Sequence, residues 1–125
     1  MKKQAFFLQR MNDHVQYLNK IKATLNQRGS FQGTDCQHCA LGQWLYGSGA
    51  EEVQALGTDA PKLFAQLIEP HEKFHEASKR ALSHFEAGDE VGQYRAMTEM
   101  HQLSNHLIKT LLDLDRSALK QARSA

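Results

Sequence analysis

Two short runs of this sequence bring together side chains that bind transition metals. Cys36 and Cys39 form a C-x-x-C pair, and His71 and His75 form an H-x-x-x-H pair. Thiolates and imidazoles are preferred ligands of zinc, and four of them complete its tetrahedral shell. A spacing of four places both histidines on one helical face, one turn apart, where both can reach one ion. The H-x-x-x-H pair alone is equally compatible with two ordinary histidines on a helix.

A third histidine occupies a position where the pattern calls for an apolar side chain. The segment from Gln4 to Gln27 carries a seam spaced by alternating fours and threes. Its members are Phe7, Met11, His14, Leu18, Ile21 and Leu25. A histidine buried there must hydrogen-bond, bind a ligand or carry a desolvation penalty. Beside an inward-facing H-x-x-x-H pair, His14 becomes the third candidate ligand.

Three long helices are predicted to position these residues. Their ranges are about 4–27, 60–87 and 89–122. Gly29 and Gly88 follow the first two, and Pro61 suits a first helical turn. We expect a kink or a short break at Pro70, inside the second helix, because its periodicity continues beyond that residue.

The predicted inward faces of the second and third helices contain few polar side chains. They are Phe64, Leu67, His71, Phe74, Ser78, Leu82 and Phe85, then Met97, Met100, Ser104, Leu107, Leu111, Leu114 and Ala118. A short helix is predicted near 39–46 and another turn near 50–56. Since β-branched residues are scarce, strands are poorly supported. The prediction is an all-α, four-helix-bundle-like fold with three long helices and one or two short ones.

Length and charge narrow the class of protein. With 125 residues and a net charge of +1, we expect a single domain, residues 1–125, that binds neither nucleic acid nor an anionic membrane. The N-terminus begins like a signal peptide, but its apolar part, 5–8, is shorter than the roughly 7–15 residues required. No apolar run reaches the roughly 20 residues of a membrane span. We therefore expect a cytoplasmic protein, in which paired cysteines indicate metal or redox chemistry.

Together these residues resemble the signature of the chemoreceptor zinc-binding (CZB) domain. The matching motifs are His14-Val-Gln-Tyr17, Cys39-x-Leu41-Gly42-x-Trp44 and His71-x-x-x-His75. The resemblance covers roughly residues 8–118. It implies one Zn²⁺ ion held by His14, Cys39, His71 and His75. It also implies a cytosolic bundle, often dimeric, that regulates chemotaxis receptors or diguanylate cyclases. We expect a standalone member, because the sequence carries neither a receptor signalling region nor a cyclase domain.

The second thiol, Cys36, leaves three interpretations open. It is inert, or it resolves an oxidised Cys39 by forming a disulfide, or it replaces His14 in a Cys2His2 site. The last would leave His14 in the core without a partner. If a helix starts near Cys39, its dipole favours the thiolate. Asp13 and Asp35 are candidate acceptors for the ligand imidazoles.

The expected function is that of a sensory or regulatory zinc domain, not an enzyme. It responds to zinc or to oxidation of the zinc-bound cysteine. A homodimer is expected from the resemblance and from Phe6 and Leu8, which lie off the main seam.

Three alternatives compete with this hypothesis. A hemerythrin-like di-iron oxygen carrier would use His101, expected near the inward face, and His106, but it needs bridging carboxylates that the inward positions lack. A thioredoxin-like exchanger needs a βαβ unit. A hydrolase is suggested because residues 71–75 match H-E-x-x-H, but four protein ligands would close the zinc shell to water.

Overall fold

Five helices build the fold. The computed structural model describes residues 2–124, and side chains from 7 to 120. The helices are α1 (Lys2–Leu25), α2 (Ala40–Leu45), α3 (Gly49–Gln54), α4 (Ala60–Glu86) and α5 (Glu90–Ser124). Three long helices and two short ones, with no strand in the described range, confirm the predicted all-α fold. None of the described helices is both long and apolar enough to cross a bilayer.

Helices α4 and α5 form a hairpin, and the contact between these two helices is the most extensive among the described helix pairs. Gly88 adopts a φ of +73° in the connection, a conformation that glycine allows without strain. Pro61 lies in the first turn of α4, as predicted. The helix continues through Pro70, so the expected short break is absent. Leu67 and Phe74 on either side of Pro70 are fully buried, and their core contacts stabilise both halves of the helix.

The predicted seams of the three long helices form the core. Most of their members are buried, while Met11, Phe85 and Met97 are half-buried at its edge. Leu8 is exposed, and the Phe6 side chain lies outside the described residues. The helical periodicity therefore placed the core, including His14, on the correct faces of the helices.

Aromatic contacts dock the short helix α2 onto the bundle. The Trp44 ring lies edge-on to Phe7 of α1 and to Phe64 of α4, with centroids 6.0 and 5.4 Å away. Leu41 is also buried. Because isolated helices shorter than about 12 residues are marginal in water, the position of α2 depends on these tertiary contacts.

Candidate metal centre

Three side chains from distant parts of the chain converge in the core. One ligand atom from each of Cys39, His71 and His75 lies within 4.8 Å of the other two. The Cys39 Sγ and His71 Nε2 atoms are 3.2 Å apart. The three residues are only 8%, 1% and 3% exposed. The fold therefore presents a thiol and two imidazoles to one point shielded from water.

The start of α2 positions the thiol. Cys39 is the N-cap of this helix, and its Sγ accepts a hydrogen bond from the Gly42 N–H at 3.2 Å. A Cβ atom at position 42 would lie 1.8 Å from the Cys36 carbonyl oxygen. Glycine is therefore required here, because the turn that carries Cys39 packs directly on the backbone of α2.

Burial keeps the thiol and the imidazoles uncharged in the metal-free chain. It raises the pKa of Cys39, an effect that the Gly42 and Leu41 N–H groups only partly oppose. The start of α2 thus favours the thiolate through these N–H groups, as expected, but burial outweighs their effect. Burial also lowers the pKa of His71 to about 3, with smaller contributions from nearby His75 and His14. A cation bound beside the thiol would favour its ionised form.

The donor set fits zinc. Tetrahedral zinc, with bonds of about 2.3 Å to sulfur and 2.0–2.1 Å to nitrogen, sets its sulfur and nitrogen ligands about 3.6 Å apart. The observed 3.2 Å separation of Cys39 Sγ and His71 Nε2 is close to that value. His71 Nδ1 is buried without a hydrogen-bond partner. Among the described residues, no carboxylate joins the group, as it would in a di-iron site.

The Thr34 carbonyl oxygen fixes the orientation of His75. His75 Nδ1 lies 3.0 Å from this oxygen and 3.2 Å from the Tyr17 hydroxyl. A carbonyl only accepts hydrogen bonds, so Nδ1 carries the proton and Nε2 keeps its lone pair. The His75 Nε2 atom is thus available to bind a metal.

His14 lies in the core close to this group but is not a member of it. Its ring packs against Phe74 at 4.7 Å, and its Nε2 is 2.9 Å from the Ser104 hydroxyl. Burial, together with a nearby His75, lowers the pKa of His14 to about 4. The four residues of the motif thus share one region, and three of them meet at one point.

The second thiol has a different environment. Cys36 is half-buried, and its Sγ is 3.9 Å from the Tyr46 hydroxyl, outside the group of three. The same Tyr46 hydroxyl donates to Glu72 at 2.9 Å. This contact links the C-terminal end of α2 to α4 at the rim of the site.

Neither aspartate has a hydrogen bond to an imidazole of the candidate site. Asp13 pairs with Arg10 at 3.3 Å, and Asp35 accepts from the His38 ring at 2.7 Å. The acceptor for His75 is the Thr34 backbone instead. No side-chain pattern could have indicated it, because the carbonyl group is common to every residue.

The remaining histidines of the sequence hypotheses lie on the surface. His101 and His106 are both exposed on α5, so the expected inward position of His101 is wrong. His101 follows Met100 directly, and a step of about 100° around the helix turns it out of the core. Glu72 and Glu76, which directly follow His71 and His75, are exposed. No di-iron arrangement is present in the described residues.

The comparisons with known proteins give one match. The model of the chemoreceptor zinc-binding domain matches residues 14–82. This range begins at His14 and contains Cys39, His71 and His75. No match was found among curated proteins, and none among solved structures.

Proposed function

Because this chain belongs to the chemoreceptor zinc-binding domain family, whose members bind zinc, we propose that it acts as a zinc-dependent sensory domain. Cys39, His71 and His75 are proposed as three of the ligands. The observation that carries the proposal is the meeting of their ligand atoms within 4.8 Å in the core. One thiol among imidazoles is a typical zinc donor set.

His14 is proposed as the fourth ligand. The family motif and the burial of His14 support this proposal. Its closeness to the other histidines supports it too, because the charge of His75 lowers the pKa of His14 and the charge of His14 lowers the pKa of His71. Cys36 is the competing fourth ligand. Its partial exposure and its contact with Tyr46 favour a place outside the shell.

A bound zinc ion would hold the Cys39 thiolate ionised and would join α1, the start of α2, and α4. The chain's own contribution is the placement of Cys39 as N-cap, so that loss of this ligand also removes a contact that holds α2. The short helix is therefore the proposed responding element. Four protein ligands would leave no open position for substrate water, which favours regulation over catalysis.

The proposed signals are zinc itself and oxidants. A peroxide or hypochlorous acid transfers one oxygen to the Cys39 sulfur; the sulfur is oxidised to a sulfenic acid and the oxidant is reduced to water or chloride. A sulfenic acid is a poorer ligand than a thiolate. If Cys36 is a resolving thiol, it attacks this sulfur, releases water and leaves a disulfide.

The proposed partners are a chemotaxis receptor or a diguanylate cyclase, with the chain acting as a homodimer. The support is the family alone. Sedimentation of the zinc-loaded and chelated chain would measure the dimer, and calorimetric titration with a receptor signalling region or a cyclase would measure binding. Equal affinity with and without zinc would contradict a zinc-dependent signal.

Metal content of the purified, untagged chain tests the proposal. We expect one zinc per chain in wild type, loss in Cys39→Ser and His71→Gln, and retention in the matched control Cys36→Ser. Loss in Cys36→Ser as well would favour a Cys2His2 site. Retention in all variants, or two irons per chain, would overturn the proposed site.

A further inference from the structure

We infer that Tyr17 is a positioning residue of the metal centre, although it offers no ligand atom to it. Its hydroxyl fixes the Thr34 peptide, and that peptide holds His75 with Nε2 free for the metal. The inference rests on the proposed zinc function. It assigns a role to the Tyr17 hydroxyl, because the packing of the Tyr17 ring does not require that group.

Four hydrogen-bond contacts connect α1, the loop before α2, and α4, and one of them joins the Tyr17 hydroxyl directly to His75 Nδ1 at 3.2 Å. The Thr34 N–H donates to the Tyr17 hydroxyl oxygen at 2.9 Å, and that hydroxyl donates back to the Thr34 carbonyl at 3.1 Å. The same carbonyl accepts from His75 Nδ1 at 3.0 Å. Both polar groups of one residue's backbone are therefore held by a single hydroxyl.

The loop is shaped to approach this hydroxyl closely. Gly33 has a φ of +83°, and a Cβ built on it would lie 3.0 Å from the Tyr17 oxygen. The ring of Tyr17 is fixed independently, edge-on to Phe31 at 5.2 Å and to Phe74 at 6.0 Å. The ring contacts therefore hold the Tyr17 hydroxyl in a fixed position, and the loop packs against it.

The arrangement matters because the choice of imidazole tautomer decides which nitrogen can bind a cation. With Thr34 fixed, His75 must donate from Nδ1. Without the Tyr17 hydroxyl, the Thr34 N–H loses its acceptor and the carbonyl loses one of its two donors. The carbonyl can then turn away, and His75 is free to rotate or change tautomer. The same loop continues through Asp35 to Cys39, so the thiol loses alignment too.

The test is Tyr17→Phe, which keeps the aromatic packing and removes only the hydroxyl. Groups that orient metal ligands typically change affinity by about 10–100-fold when removed. We expect that loss in the zinc dissociation constant, measured by competition with a chromophoric chelator. The matched control is Tyr94→Phe, which removes the same hydroxyl group from a side chain that is 63% exposed on α5. We expect it to change the affinity less than about twofold.

A second readout separates positioning from general destabilisation. Nitrogen NMR of the metal-free chain should show His75 as a single Nδ1–H tautomer in wild type and Tyr94→Phe, and as a mixture in Tyr17→Phe. An unchanged tautomer together with an unchanged affinity in Tyr17→Phe would overturn the inference. If wild type itself binds no zinc, the proposed function fails, whereas the tautomer measurement still decides whether Tyr17 orients His75.

Discussion

At the scale of single residues, the buried imidazoles make the metal-free chain sensitive to acid. Burial lowers the pKa of His71 to about 3 and that of His14 to about 4, from an ordinary 6.5. At pH values between the folded pKa values and 6.5, the unfolded chain binds more protons than the folded chain. The free energy of unfolding therefore falls as the pH falls. This stability is present above pH 6.5 and is lost progressively as the pH approaches the folded values.

The first prediction follows from this linkage. In the presence of a chelator, the free energy of unfolding should decrease between pH 7 and pH 5, by at most about 1.4 kcal/mol per pH unit for each buried histidine. His71→Gln should reduce the slope, because the unfolded chain then gains one proton fewer. Urea unfolding at several pH values measures it. His101→Gln, at an exposed position, is the control and should leave the slope unchanged.

A second prediction concerns the glycine below the thiol. Gly42→Ala places a Cβ where the Cys36 carbonyl oxygen lies, so the turn carrying Cys39 must move. We expect zinc affinity to fall more than tenfold, and stability to fall by about 1–3 kcal/mol, as for other overpacked sites. Chelator competition and urea unfolding measure the two effects. Gly29→Ala is the control, because its added Cβ would meet its nearest neighbour at 3.4 Å, an ordinary contact. Equal effects of both substitutions would contradict the account.

At the scale of elements, α2 is one of the two shortest helices, and Cys39 is its N-cap. It has six residues, and Cys39 and Trp44 contact its neighbours from either end. In contrast, α4 and α5 pack along their lengths. A change at the metal centre should therefore act on α2 before it acts on the hairpin.

Metal removal tests this order of response. On chelation, the amides of Gln43 and Tyr46, which bond within α2 to Cys39 and Gly42, should exchange at least about tenfold faster. Amides near Leu82 in α4 should keep their protection. Hydrogen exchange with mass spectrometry measures both regions, and zinc-supplemented Cys39→Ser should resemble the chelated wild type. Uniform loss of protection along the chain would contradict a local response.

Much of the element layout was predictable from sequence, and the physical reason is periodicity. Apolar spacing located α1, α4 and α5 to within a few residues, because each buries one face. Periodicity does not report what a proline inside a helix does, and the continuity of α4 at Pro70 depends on its neighbours. The apolar periodicity also placed His101 incorrectly near the inward face of α5. His101 lies at the border of that face, where spacing alone does not decide whether a side chain points to the core or to solvent.

At the scale of the whole molecule, a helix that supplies none of the proposed ligands forms the opposite wall of the site. Helix α5 contributes Ser104, which contacts His14, and a row of buried leucines. The matched family range ends at residue 82, before this helix begins. The core that holds α1 and α4 together therefore extends beyond the matched range.

A core substitution on α5 should accordingly weaken the whole bundle. Leu107 is 0% exposed and Leu112 is 38% exposed on the same helix. Leu107→Ala should lower the free energy of unfolding by about 2–5 kcal/mol, because it removes buried contacts and leaves a cavity. Leu112→Ala is the matched control and should cost less than about 1 kcal/mol. Urea unfolding of the chelated proteins measures the difference, and similar losses would contradict this description of the core.

The candidate site was predictable in its side chains and not in its backbone partners. Histidine spacing identified His71 and His75, and the family signature selected Cys39 over Cys36, since the chemistry of these residues is carried by the side chains themselves. The Thr34 carbonyl depends on a loop path that only the folded chain defines. The raised pKa of Cys39 likewise depends on burial in three dimensions.

The most direct test of the central claim is zinc X-ray absorption of the metal-loaded wild-type chain. The account predicts one sulfur neighbour at about 2.3 Å and three nitrogen neighbours at about 2.0–2.1 Å. The sulfur signal should vanish in Cys39→Ser and persist in Cys36→Ser. A spectrum with two sulfur neighbours, or with none, would contradict a site built from Cys39 and the three buried histidines.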